Sequence, residues 1–223
     1  MSPPEFRYQL LSIGINREAN GASIRAAERD AFGISWTFAQ LGYWRADRNR
    51  CLIGTQATRA ALDAHVSHSA EQLDLDLLLI YWSGYIASID FVVDAIAGHA
   101  DARLRILIVD TCDASDRVRR LDARVQELPD VQRPVVLASC APDGRARENS
   151  LHGFFTGALL KQLRRPRRPG TRSLNLLHAF NRAADEAVPR VGAPIFTTNG
   201  SGRLRIPILA QGALPFESPL ANP

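Results

Sequence analysis

The sequence of 223 residues predicts an α/β fold with a mostly parallel central sheet of about six strands and helices on both faces. Three observations carry that expectation. Strand-like and helix-like segments alternate along the chain, as right-handed βαβ crossovers require. Residues 75–82 form a near-continuous apolar run, and residues 104–109 another broken only by Arg105, as strands buried on both faces do. The helical candidates carry apolar residues at the spacing of one helix face, with Gly or Pro at their ends.

In chain order, residues 8–15 read as a first strand, with β-branched content and an end at Gly14 and Asn16. Residues 24–41 read as a helix through Ala27, Ala31, Ile34, Phe38 and Leu41, closed by Gly42. A short strand at 50–54 follows, then a helix at 55–73 with Thr55 as N-cap and Ala61, Leu62 and Val66 as its apolar stripe. The 75–82 strand ends in Ser83-Gly84, and 89–97 is a short helix. Strand 104–109 leads into Asp110-Thr111-Cys112, and an Arg-rich amphipathic helix at 115–128 stops at Pro129. A strand at 134–139, helices at 151–163 and 174–188, and a last strand or pair at 193–198 and 204–209 complete the pattern. One domain spans 1–210, and the Pro-rich stretch 211–223 reads as a loosely held tail.

Composition narrows the function classes. Hydrophobic content of 46% with 22% charged residues is that of an ordinary globular protein. No apolar run is long enough to span a bilayer and no signal segment is recognisable, so the expected location is cytoplasmic, with no membrane partner. The net charge of +4 is carried almost wholly by Arg, since Lys161 is the only lysine. The cluster Arg164, Arg165, Arg167 and Arg168 reads as a solvated loop. An anionic partner is the other reading, and no nucleic-acid motif accompanies it. Cys51, Cys112 and Cys140 form no CxxC pair, and neither a zinc pattern nor a disulfide framework is expected.

In open α/β sheets chemistry gathers beyond the carboxyl ends of the strands. Two such ends stand out, Ser83-Gly84-Tyr85 and Asp110-Thr111-Cys112. A thiol attacks as thiolate, and a strand end leading into a helix N-terminus offers the electropositive setting that lowers its pKa. Cys112 stands at such a junction. No GxGxxG or P-loop follows the first strand, which weighs against a nucleotide or phosphate site there.

The order of motifs supplies a family. The chain reads SIGIN at 12–16, AAERDA at 26–31, LLLIYWSGYI at 77–86 and LRILIVDTCDAS at 104–115. VVLASCAPD at 135–143, LHGFFTGALLKQL at 151–163 and APIFTTNGSG at 193–202 follow. Together they resemble the caspase-like cysteine peptidases, in particular the metacaspase and bacterial caspase branch. The resemblance implies a three-layer αβα sandwich with a large-subunit-like half at about 7–128 and a small-subunit-like half at about 133–210. It implies Cys112 as nucleophile, Asp110 and Asp30 as acids lining a pocket for a basic substrate residue, and backbone N–H groups near Gly84 and at Cys112 as an oxyanion hole. It brings no cofactor apart from calcium, on which several metacaspase-type relatives depend.

The departures point away from activity. Tyr85 stands where the family keeps its catalytic His, and a phenol with a pKa near 10 is a poor base at pH 7. Ile86 replaces a Gly, and Asp113 places a carboxylate beside the thiol, which opposes thiolate formation. Tyr85 and Cys112 stand 27 positions apart, against about 50 for the His–Cys pair of the caspase signature. His65 and His68 read as solvated or capping residues on a helix. His99 falls at the wrong end of the sheet and His178 within an amphipathic helix. His152, before a helix of the second half, is the best-placed substitute base. The expected function is a catalytically impaired caspase-like domain, a pseudoprotease acting by binding a protein partner, for example another caspase-like protein. The alternative is an active endopeptidase cleaving after Arg or Lys with Cys112 and a non-standard base.

Overall fold

A computed structural model describes residues 6–16, 24–45, 47–70, 75–84, 90–98, 102–111, 115–140, 151–191, 195–197 and 204–209. The main sheet contains β1 (Tyr8–Gly14), β2 (Asn49–Ile53), β3 (Leu77–Gly84), β4 (Arg105–Thr111), β5 (Val135–Cys140) and β7 (Ile195–Thr197). Their order is β2-β1-β3-β4-β5-β7. The first five strands are parallel and β7 runs antiparallel to β5. The helices are α1 (Ala27–Gln40), α2 (Arg59–Ala70), α3 (Asp90–Gly98), α4 (Ser115–Gln126), α5 (Phe154–Leu163) and α6 (Leu176–Val191). A second, two-stranded sheet pairs β6 (Ser173–Asn175) with β8 (Arg205–Pro207).

Side-chain alternation along β3 explains why both faces are covered. Leu77, Leu79 and Tyr81 enter a core with Ile34 and Phe38 of α1, Phe155 and Leu159 of α5, and Phe180 of α6. Leu78, Ile80 and Trp82 enter the opposite core with Leu62 of α2, Val92 of α3 and Leu121 of α4. Every β3 residue is therefore buried, and an aliphatic or aromatic side chain is worth about 1.5–3 kcal/mol there. The architecture is the expected three-layer αβα sandwich with a mostly parallel sheet.

Local chemistry moved several boundaries. α1 starts at Ala27 rather than 24 because Asn16 takes over its approach. The Asn16 carbonyl accepts from the Ile24 N–H (2.7 Å), and its side-chain oxygen accepts from the Glu28 N–H (3.1 Å). The cap of α2 is Thr58, whose hydroxyl oxygen accepts from the Ala61 N–H (3.1 Å), and not Thr55, which lies in a 3₁₀ turn at Gly54–Gln56. α1 closes as expected at Gly42, where Tyr43 N–H reaches the Phe38 carbonyl (3.0 Å) in a Schellman turn. The expected terminal pair separates. β7 extends the main sheet, while β8 pairs with β6, a strand of three residues that no sequence pattern announced.

His65 is also corrected. It is 8% exposed, and Gln9 of β1 lies 2.9 Å from its Nε2 and 3.2 Å from its carbonyl oxygen. The pair joins the start of β1 to α2 as a satisfied buried contact. His65→Ala should cost about 1–3 kcal/mol by leaving the Gln9 amide short of partners. A urea titration compared with the parent protein would measure the loss. No helix among the described residues is long and apolar enough to cross a membrane.

Candidate functional site

Two strand ends and one helix start meet beyond the carboxyl edge of the sheet. β1 and β3 pair in register at Gly14 and Ser83. β3 and β4 pair at Ser83 and Asp110, then at Gly84 and Thr111. The first turns of α1 hold Asp30 above Ser83, whose hydroxyl stands 3.5 Å from Asp30 Oδ2. Among the expected site residues, Asp30, Gly84 and Asp110 are therefore neighbours. Tyr85 and Cys112 lie outside the described residues, as do Ile86, Asp113 and His99.

The two acids converge on the N-terminus of α5. Gly153 precedes that helix and offers no side chain to cap it. Its N–H instead donates to Asp30 (3.3 Å to Oδ1 and 3.2 Å to Oδ2). Asp110 Oδ2 accepts from both the Thr156 N–H (3.2 Å) and the Thr156 hydroxyl (2.5 Å). A helix start leaves its first N–H groups unsatisfied and carries partial positive charge. Two carboxylates borrowed from α1 and β4 meet both needs. A side chain at position 153 would crowd both acids, since a Cβ there would stand 3.1 Å from Asp30 Oδ2 and 3.2 Å from Asp110 Oδ2 and they would have to shift by a few tenths of an ångström.

His152 completes the cluster. A carboxylate only accepts, so His152 Nδ1–H donates to Asp30 Oδ1 at 2.8 Å. The Asp30 carboxylate side chain is 2% exposed and that of His152 24%. On the far side, the Tyr81 hydroxyl is 2.5 Å from the Thr156 hydroxyl. With Asp110 ionised, donation runs from Tyr81 through Thr156 to the carboxylate.

Burial dominates the electrostatics. It pushes the Asp110 carboxyl up to about 7, with the charge of Asp30 adding to the rise and the Thr156 bonds opposing it. The residue as a whole is half-buried, but its carboxyl group is enclosed. Burial also raises Asp30, against the pull of His152, Gly153 and Ser83. Tyr81 is held well above the ordinary phenol range by burial, then by Asp30 and Asp110. Burial lifts the half-buried Cys51 thiol to about 11, so this cysteine is an inert core neighbour.

Comparison with known proteins rests on structure. No protein-family model and no curated protein matches the sequence. Among solved structures, caspase-1 from Spodoptera frugiperda superposes with a TM-score of 0.52 at 13% identity, over 82% of this chain and 76% of that one. A structure described as pro-sf-caspase-1 gives a TM-score of 0.53 at 13% identity, over 86% of this chain and 90% of that one. The fold is caspase-like. At this identity the likeness speaks for the fold alone.

Within the caspase-like fold, several residues of the cluster carried no sequence signal. Thr156 and Gly153 read only as a helix start, and Ser83 only as a strand end. Tyr81 was a weak hint, being a hydroxyl inside an otherwise apolar strand. Among the described residues no group of three or more His, Cys, Asp or Glu could hold a metal ion. Asp30 and Asp110 already accept from His152, Gly153 and Thr156. No step is assigned to calcium.

Proposed function

We propose that this protein is a caspase-like domain without working peptidase chemistry, acting as a protein-binding module. The observation that carries the reading is the fate of the two acids. A pocket for Arg or Lys needs an ionised carboxylate that substrate can reach. Asp30 is 1% exposed and engaged by His152 and Gly153. Asp110 is engaged by Thr156 and holds its proton to about pH 7. Both serve α5, so a substrate guanidinium would have to displace a helix start to reach them. Tyr85 at the position of the family's His supports the same conclusion from the sequence.

Fluorogenic peptides ending in Arg or Lys, with and without calcium, test the reading on the natural protein and on Cys112→Ala. Equal background rates for the two are expected. Turnover lost in Cys112→Ala would overturn the proposal.

One observation favours the second reading, an active endopeptidase. A buried carboxylate that orients an imidazole through Nδ1, as Asp30 orients His152, is the arrangement a general base uses. Under that reading turnover is present, and His152→Ala abolishes it while Tyr85→Phe leaves it intact.

A further inference from the structure

A cavity of about 860 Å³ lies between α1 and the C-terminal end of α5, and it borders the acid cluster through His152. Its volume is in the range of about 300–1,000 Å³ typical of small-molecule sites. One wall is the outer ridge of α1, where Phe32 and Trp36, one turn apart, are both half-buried. The other wall carries Arg164 and Arg167, half of the arginine cluster. Arg167 is half-buried there, while Arg164 stays exposed at the rim with its Nε on Thr37; Arg165 and Arg168 are exposed and do not line the cavity.

Among the described residues, none neutralises the two guanidiniums. Arg164 Nε donates to the Thr37 hydroxyl (2.9 Å), and Arg167 donates to the Leu163 carbonyl (2.5 Å). Neither forms an ion pair with a described carboxylate, and each spends one of its five N–H donors on these neutral oxygens. Burial lowers the pKa of both below the ordinary guanidinium range, with no anion to restore it. The acid in the cavity, Glu28, stands at the other end beside Gly54. Nine residues of α1 separate it from Thr37, about 13 Å at 1.5 Å per residue. The cavity thus has a cationic end at Arg164 and Arg167, an aromatic wall, and a far end lined by both Glu28 and Arg29.

We infer that this cavity binds a nucleotide, its phosphoryl group on Arg164 and Arg167 and its base against Trp36 and Phe32. Arg presents paired donors that fit phosphoryl oxygens. A flat base stacks on aromatic side chains whatever its identity. Glu28 lies where it can accept from ribose hydroxyls or an exocyclic amine. The site uses neither the ends of β3 and β4 nor a Gly-rich loop, and it stands whether or not the protein cleaves peptides.

The probes are ADP, adenosine and pyrophosphate, titrated by calorimetry and by tryptophan fluorescence. ADP should bind saturably, with adenosine and pyrophosphate each weaker by about tenfold or more. The double variant Arg164→Gln/Arg167→Gln should weaken ADP by about tenfold or more and leave adenosine unchanged. Trp36→Ala should weaken ADP and adenosine but not pyrophosphate. Thermal midpoints near the parent value confirm that the variants fold, and the two variants probe opposite walls independently. No saturation by ADP up to about 1 mM overturns the inference. So does binding that ignores both variants, or pyrophosphate binding as tightly as ADP, which would mark a plain anion seat.

Discussion

At pH 8, Asp110→Asn is expected to stabilise the protein by about 1–4 kcal/mol, and at pH 4 to change it little. Asp110 is enclosed and its carboxyl is raised from 3.8 to about 7. A group raised in the folded state gives stability that is fully present below its unfolded pKa. That stability is lost as pH climbs through the folded value. The parent protein should therefore weaken between about pH 4 and 7, where the unfolded chain has released a proton that the folded one still holds. The full shift corresponds to about 4 kcal/mol, an upper bound because some solvent reaches the site. Asn carries no charge to bury. Its carbonyl can accept from Thr156 as Asp110 Oδ2 does, and its amide can donate toward Asp30. Urea unfolding across this pH range measures the effect. A variant less stable than the parent at pH 8 would show that the carboxylate is a net stabilising anion for α5.

Gly14→Ala should cost about 3 kcal/mol or more. A Cβ at position 14 would fall 2.3 Å from the Ala27 carbonyl oxygen and 2.7 Å from Glu28 Cα. Both are backbone atoms of the first turn of α1, so no side chain can swing aside. The helix would have to lift off the end of β1, and Asp30, on the same helix, would move with it. The damage should reach the contacts to His152 and Gly153 as well as the core. Gly157→Ala is the control, since its Cβ meets only His152 Cβ at 3.5 Å and Ala suits a helix better than Gly. It should be neutral or slightly stabilising in the same urea titration.

These residues also show what a sequence can disclose. The layers were legible because periodicity is a local property. The run at Leu75–Trp82 read as a strand covered on both faces, and the amphipathic stretches as its covers. Asp30 and Asp110 were singled out through a motif resemblance, and they do stand together. Their engagement was hidden because it depends on α5, which arrives more than 40 residues after Asp110 in the chain. His152 attracted attention as a substitute base, yet nothing in its neighbours signalled Asp30 as its partner. The arginine cluster read as one solvated loop. Beyond the end of α5, Arg164 in fact reaches Thr37 of α1 and lines a cavity with Arg167, while the other two do not. Long-range pairing of polar groups has no period, so it is the first thing a one-dimensional reading loses.

The parallel ladders set the order in which this chain can assemble during synthesis. None of them closes as a hairpin. Leu10 of β1 pairs with Leu79 of β3, and the chain between them takes about 3–14 s to emerge at 5–20 residues per second. For that interval the fully buried β1 has no central strand to lie against. Contacts this distant in sequence also fold slowly once available, because a long loop must close before any bond repays it. A nascent β1 is therefore the segment of this protein with the longest exposure to chaperones and to wrong partners.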